Sequence, residues 1–225
     1  MIILGIHDGH NCGASLCHDG KIVYSILEER ITRVKNDVGF PKNAILNCLK
    51  AYGIKSSEID YAVYSSKFMH SPNHLRDPGS WYKLSLRDQI SDSKKPKRYQ
   101  KIIFEQRKTE RKDLIKKLIK IPDDKILFYD HHFCHMTSSY YLSPFNKNNK
   151  ILGITLDGSG DNSSGKVYLC HKGKFKKISE TSRDASLGKI YSRVTKFLGM
   201  KPWEHEYKVM GLAPYANEKY FNRIK

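Results

Sequence analysis

Two histidines spaced four residues apart, His131 and His135, sit in the run Asp130-His131-His132-Phe133-Cys134-His135 of this 225-residue sequence. The stretch that follows, Met136 to Leu142, has no Gly, Pro or charge and predicts a helix. On a helix, side chains four apart share one face, so the two imidazoles can grip one transition-metal ion. His132 points off that face, to a supporting or substrate-facing position. Cys134 is the weaker candidate ligand, because the His pair already explains the cluster. Downstream, Asp157 closes the apolar run Ile151–Leu156, which predicts a buried strand, and Gly158-Ser159-Gly160-Asp161 follow it. A carboxylate at a strand end followed by glycines stands where α/β folds place ligands. The competing reading, histidines packed in a core, is weakened by the spacing and by the downstream Asp-Gly. Two imidazoles and a carboxylate still leave a metal site half built.

Three other segments carry chemistry-bearing residues. Gly5-Ile6-His7-Asp8-Gly9-His10-Asn11-Cys12-Gly13-Ala14-Ser15 reads as a turn between strands, rich in small residues. Such a turn lets backbone N–H groups approach a phosphate, and His10 in it could act as a general base near neutral pH. A tight hairpin with polar turn residues explains it equally well. Glu28-Glu29-Arg30 ends a predicted strand and reads either as a solvated charged rim or as a substrate contact. In Trp203 to Tyr215, small residues and Gly after a charged turn could let the backbone meet a nucleotide, although a helix end and loop is the plainer reading.

These residues need elements to hold them. Ile2–Ile6, Gly13–Cys17 and Ile22–Leu27 predict three strands, with a hairpin turn at His18-Asp19-Gly20-Lys21. Pro41 starts a helix over Lys42–Tyr52 that buries Ala44, Ile45, Cys48 and Leu49, and Gly53 stops it. Ile59–Tyr64 and Lys125–Tyr129 predict further strands. Beyond the His helix come the Asp157 strand, strands over Lys166–Cys170 and Phe175–Glu180, and a helix over Leu187–Leu198 followed by Gly199. Residues 66–121 change composition and predict a basic helical insertion with helices over about 83–91 and 98–119.

Net charge is +17, and between Lys94 and Lys120 twelve Lys/Arg stand against three carboxylates. That basic stretch fits RNA or another polyanion, but Ile102, Ile103, Leu114, Ile115, Leu118 and Ile119 also give it an apolar face, and a solvated helical insertion is the plainer reading. No run approaches the ~20 apolar residues that span a bilayer. The start carries no basic region or long apolar segment of a signal peptide. Five scattered cysteines fit reduced thiols in the cytoplasm, not a disulfide framework.

Taken together, Gly5–Leu16 with Asp19-Gly20, Glu28-Glu29-Arg30 with Phe40-Pro41, Asp130–His135 with Ser143-Pro144-Phe145, Asp157-Gly158, and Glu206–Tyr215 resemble the N-terminal part of the O-carbamoyltransferase family that includes the nodulation protein NodU and antibiotic carbamoyltransferases. The resemblance spans residues 1–225. It implies an α/β, actin/Hsp70-like (ribonuclease H-like, ASKHA) lobe, with a mixed sheet flanked by helices, similar to tRNA threonylcarbamoyltransferases. It implies transfer of a carbamoyl group from carbamoyl-adenylate to a hydroxyl of a sugar or secondary metabolite. A YrdC-like domain, in the same protein or a separate chain, would make the adenylate from carbamoyl phosphate and ATP. By the same resemblance, His131, His135 and Asp157 ligate a divalent metal, Fe²⁺ before Zn²⁺, and His10 activates the acceptor hydroxyl. Asn11, Glu28, Arg30, His132, Gly158, Lys208 and Gly211 would bind substrate or nucleotide. Asn11 departs from the Asp of many members. Members exceed twice this length, which leads us to expect a fragment inactive alone, or a lobe completed by a partner. A homodimer, a tRNA-modifying protein and a non-catalytic basic binding module of the same fold are the alternatives.

Overall fold

The computed structural model describes residues 1–68, 97–202, 204–217 and 219, so the helix expected over 83–91 lies outside the described residues. The chain forms two compact units, Met1–Phe145 with Gly160–Asn162, and Asn146–Ser159 with Ser163–Lys225.

In the first unit, alternating apolar residues build β1 (Ile2–His7), β2 (Gly13–His18) and β3 (Lys21–Leu27). Asp19 (φ 46°) and Gly20 (φ 79°) make the two-residue turn between β2 and β3, the left-handed pair that matches strand twist. After the short α1 (Glu29–Thr32), α2 (Lys42–Tyr52) buries Ala44, Ile45, Cys48 and Leu49. It ends at Gly53, whose left-handed backbone donates to the carbonyls of Leu49 and Lys50. Then come β4 (Tyr61–Tyr64), α3 (Lys97–Lys116), β5 (Ile126–Phe128) and α4 (His131–Leu142). The sheet order is β3-β2-β1-β4-β5. β2 is antiparallel to β1 and β3, while β1, β4 and β5 run parallel. This is the mixed sheet of a ribonuclease H-like lobe.

Strand alternation divides the sheet's two faces. Leu4, Ile6, Ala14, Leu16, Ala62 and Tyr64 point into a core completed by α2 and by Ile115 and Ile119. Gly5, His7, Gly13 and Ser15 alternate with them and face the other way. Parallel β4 and β5 need a crossover, and α3 lies within it. The basic stretch expected as a solvated insertion therefore has a buried inner side among its described residues. Arg111, Ile115, Ile119 and Ile121 are buried there, whereas Ile102 is exposed. Several outward cations pair locally: Arg107 with Glu110, Lys108 with Glu105, and both Lys112 and Lys116 with Asp123.

The second unit holds β6 (Ile151–Gly160, its last residue counted with the first unit), β7 (Ser163–His171) and β8 (Lys174–Ser182) in that order, then α5 (Leu187–Phe197) and α6 (Glu206–Gly211). Left-handed pairs at Asp161-Asn162 and Lys172-Gly173 turn the two hairpins. Two expectations need correction. β6 continues past Leu156 to Gly160, so Asp157 lies within the strand and not at its end. Nor is the strand buried: Leu152, Ile154 and Leu156 are 58%, 62% and 76% exposed. β6 is an edge of a three-stranded sheet, and a continuous apolar run does not reveal which of its faces is covered. Among the described residues no helix is long and apolar enough to cross a membrane.

Candidate functional site

The His pair stands at the start of α4. Asp130 caps this helix, its carboxylate accepting from the Phe133 N–H at 3.0 Å. A second carboxylate, Asp161, accepts from the N–H groups of His131 (2.8 Å), Lys67 (2.8 Å) and Phe68 (2.7 Å). It thereby ties the β6–β7 turn to the helix and to the chain leaving β4. With one helical turn between them, His131 and His135 bring their Nε2 atoms to 3.0 Å. Such a pair either shares a proton or turns both lone pairs toward one cation. Imidazole donors converging on one point fit a borderline ion such as Fe²⁺ or Zn²⁺. Cys134 suits that role poorly, because burial pushes its thiol up to about 12 and keeps it protonated.

Against this pair lies the β1–β2 turn. His7, the last residue of β1, has its ring centroid 6.2 Å from that of His131 and 6.3 Å from that of His10. Its Nε2 is 3.0 Å from the His10 carbonyl and its Nδ1 is 3.0 Å from Ser65 Oγ. A carbonyl only accepts, so Nε2 carries the proton and Nδ1 accepts from the serine hydroxyl. Burial first, and then charge on His10 and His131, hold His7 down at about 4, so it is neutral at physiological pH. His10 itself is exposed. Asn11 follows it with φ 54°, a left-handed conformation that Asn tolerates, and its Nδ2 is 3.4 Å from His10 Nδ1. Backbone bonds from Gly39 N to Gly9 O and from Cys12 N to Asp37 O hold the turn on both sides of His10. A cavity of about 340 Å³ opens here, lined by Gly5, His7, Asn11, Gly13, Ser65 and Cys134 among others.

Beneath the turn, Asp8 is buried against Arg111 of α3, with Oδ1 2.9 Å from Nη2 and Oδ2 2.7 Å from Nε. Arg111 also donates to the Ser66 carbonyl, and its guanidinium lies 4.2 Å from the Tyr64 ring centroid.

Of the residues singled out in the sequence, the structure brings together His10, Asn11, His131 and His135. Glu28 is placed otherwise. It is buried and accepts from Asn43 N, Asn43 Nδ2 and Ala44 N, capping the start of α2, so it holds a helix where a substrate contact was expected. Arg30 extends from the surface, its side chain 69% exposed. His132 is fully buried, which leaves it a supporting position and removes the substrate-facing one. Asp157, Gly158, Lys208 and Gly211 belong to the second unit. There Asp157 is half-buried, and its Oδ1 accepts from Gly158 N at 2.5 Å. Gly158 lies so near Gly188 that a Cβ on the latter would come within 3.0 Å of the Gly158 Cα. Lys208 and Gly211 are exposed on α6. Sequence reasoning passed over His7, Ser65, Gly160 and Asp161. Three of them lie within or directly beside quoted motifs, but only the fold reveals what their polar atoms meet.

The family described as "Carbamoyltransferase N-terminus" matches residues 2–224. Among curated proteins, an uncharacterized protein of Synechocystis is 32% identical over 219 residues, covering 96% of this chain and 34% of that protein. Another of Methanocaldococcus jannaschii is 29% identical, covering 98% of this chain and 34% of its own length. The nodulation protein NolNO of Sinorhizobium fredii is 29% identical over 94% of this chain and 28% of its own. The chain thus spans about a third of the length of the curated relatives it matches. YeaZ from Pseudomonas aeruginosa superposes with a TM-score of 0.41 at 12% identity, over 80% of this chain and 66% of that one.

Proposed function

The chain belongs to the carbamoyltransferase family, as its N-terminal part, and on that premise we propose that it is the lobe that transfers a carbamoyl group from carbamoyl-adenylate to a hydroxyl of a sugar or secondary metabolite. The observation that carries this reading is the convergence of His131 and His135, Nε2 to Nε2 at 3.0 Å, beside the turn that presents His10. In the reaction, the acceptor oxygen bonds to the carbamoyl carbon as the bond from that carbon to the adenylate oxygen breaks. His10, a neutral imidazole, takes the acceptor's proton, and the products are a carbamate ester and AMP. His131 and His135, joined by Asp157, would hold Fe²⁺ or Zn²⁺. When bound, that ion supplies positive charge for the adenylate phosphate. The small residues of the β1–β2 turn leave its backbone open to the same ligand. The YrdC-like domain that makes the adenylate, in the same protein or a separate chain, and a hydroxyl-bearing small molecule or glycan are the partners this reading requires.

The nucleic-acid alternative has less support, because cations of α3 are engaged by Glu105, Glu110 and Asp123. Two measurements test the proposal. The first is metal content after equilibration with Fe²⁺ (anaerobically) or Zn²⁺, wild type against His131→Ala/His135→Ala. About one equivalent in the wild type and none in the folded double variant is expected. The second supplies carbamoyl-adenylate and a panel of sugar hydroxyls, where His10→Ala should lower turnover about 100-fold or more. A folded wild type that binds neither ion would sink the metal part of the reading.

A further inference from the structure

We propose that His7 is the positioning residue of the acceptor turn: its imidazole bridges Ser65, at the end of β4, to the His10 carbonyl and so aims the His10 side chain. This rests on the reading of His10 as the base and names what orients it.

The argument begins with strand alternation. Ile6 is buried in the core, so its neighbour His7 emerges on the opposite face, toward the cavity. β1 and β4 are parallel neighbours, and Ser65 N donates to Ile6 O at 3.0 Å, which brings the serine beside His7. The imidazole then has one fixed partner at each nitrogen, Ser65 Oγ at Nδ1 and the His10 carbonyl at Nε2. The second contact matters most. It holds the peptide plane between His10 and Asn11, hence the backbone dihedral on which the His10 side chain is mounted. Asn11 next in line is left-handed, so this turn samples a sparse region of backbone space and benefits from an external tether. A further side-chain tether acts two residues before His10, where the Arg111–Asp8 pair anchors the turn from below. His7 acts from the cavity side and bonds the His10 carbonyl directly.

A residue that merely fills space could be replaced by any side chain of similar bulk. A positioning residue must donate a hydrogen bond at the reach of Nε2. Gln does so through its side-chain amide, whereas Leu fills volume without donating, which separates the two roles. In the transfer assay, His7→Leu and His7→Ala should lower kcat about 10- to 100-fold with KM for the acceptor changed less than about threefold, and His7→Gln should recover most of the loss. Zn²⁺ content should stay near that of the wild type in all three. Unchanged kcat in His7→Ala overturns the proposal, as does His7→Gln no better than His7→Leu in folded protein. His10→Ala is measured alongside: if it keeps full turnover, the assignment of His10 fails, whatever His7 does. A further arm needs no turnover. Long-range ¹H–¹⁵N correlation spectra of the imidazoles at pH 7 should show His7 as the Nε2–H tautomer, and Ser65→Ala should perturb its Nδ1 shift. An Nδ1–H tautomer for His7 overturns the inference directly.

Discussion

Gly160 shows how a missing Cβ can seat a side chain. A Cβ built there would come to 2.0 Å from Cδ2 and 2.5 Å from Cγ of His131, so the ring occupies the space that any other residue would fill. Next to it, the Asp161 carboxylate meets three backbone N–H groups and fixes where α4 begins. Gly160→Ala must displace the His131 ring or the turn. If the pair binds a metal, Zn²⁺ affinity should fall by about 10- to 100-fold while the circular dichroism spectrum stays native, because a ligand's support is lost but its chemistry is kept. Unchanged affinity in folded protein would show that the ring finds its seat without the glycine. At this scale the sequence was partly legible. The His-x-x-x-His spacing placed two side chains on one helical face, but Glu28 and Asp161 are both carboxylates in suggestive motifs, and type alone does not separate a helix cap from a ligand. That distinction depends on which N–H groups the fold brings within 3 Å.

Elements were more readable than contacts, for a physical reason. α2 satisfies its pattern locally: Pro41 before it, four apolar residues on one face and Gly53 after it, so its limits and buried side agree with expectation. α3 is different. Its outer residues are strongly basic, and that charge obscures a narrow inner side of Arg111 and Ile115, continued just past the helix by Ile119, all buried. Arg111 belongs to the basic stretch, yet its side chain is only 5% exposed. It meets Asp8, Ser66, and the stacked rings of Tyr64 and Phe128. Removing one partner of a buried pair strands the other charge. Arg111→Ala should therefore cost about 3–5 kcal/mol in urea unfolding, whereas the paired Asp8→Leu/Arg111→Met should cost much less. Equal losses in both would mean that packing of the guanidinium on the rings, and not the ion pair, supplies the stability.

For the whole molecule, the distribution of buried apolar side chains is uneven. The first unit holds a cluster that runs from Ile2 to Ile126 and draws on four strands and two helices. In the second unit the buried apolar side chains among the described residues are Tyr168 and Cys170, both on β7. Its helix α5 carries Leu187, Ile190, Tyr191, Val194 and Phe197 along one face, spaced three and four apart, and all are exposed, Phe197 at 89%. Local opening costs least where few apolar contacts must be broken, so the two units should differ in protection from solvent. Amide hydrogen exchange should be slowest in β1, β2 and β4 and fastest in α5 and α6, and limited proteolysis should cut first within residues 183–215. The apolar stripe sharpens the test, because a bare face of this kind favours self-association. If α5 amides exchange quickly at low micromolar protein and slow as concentration rises, association is covering the stripe. Protection of α5 equal to that of β1 at all concentrations would contradict the exposure seen here and show that the face is already covered.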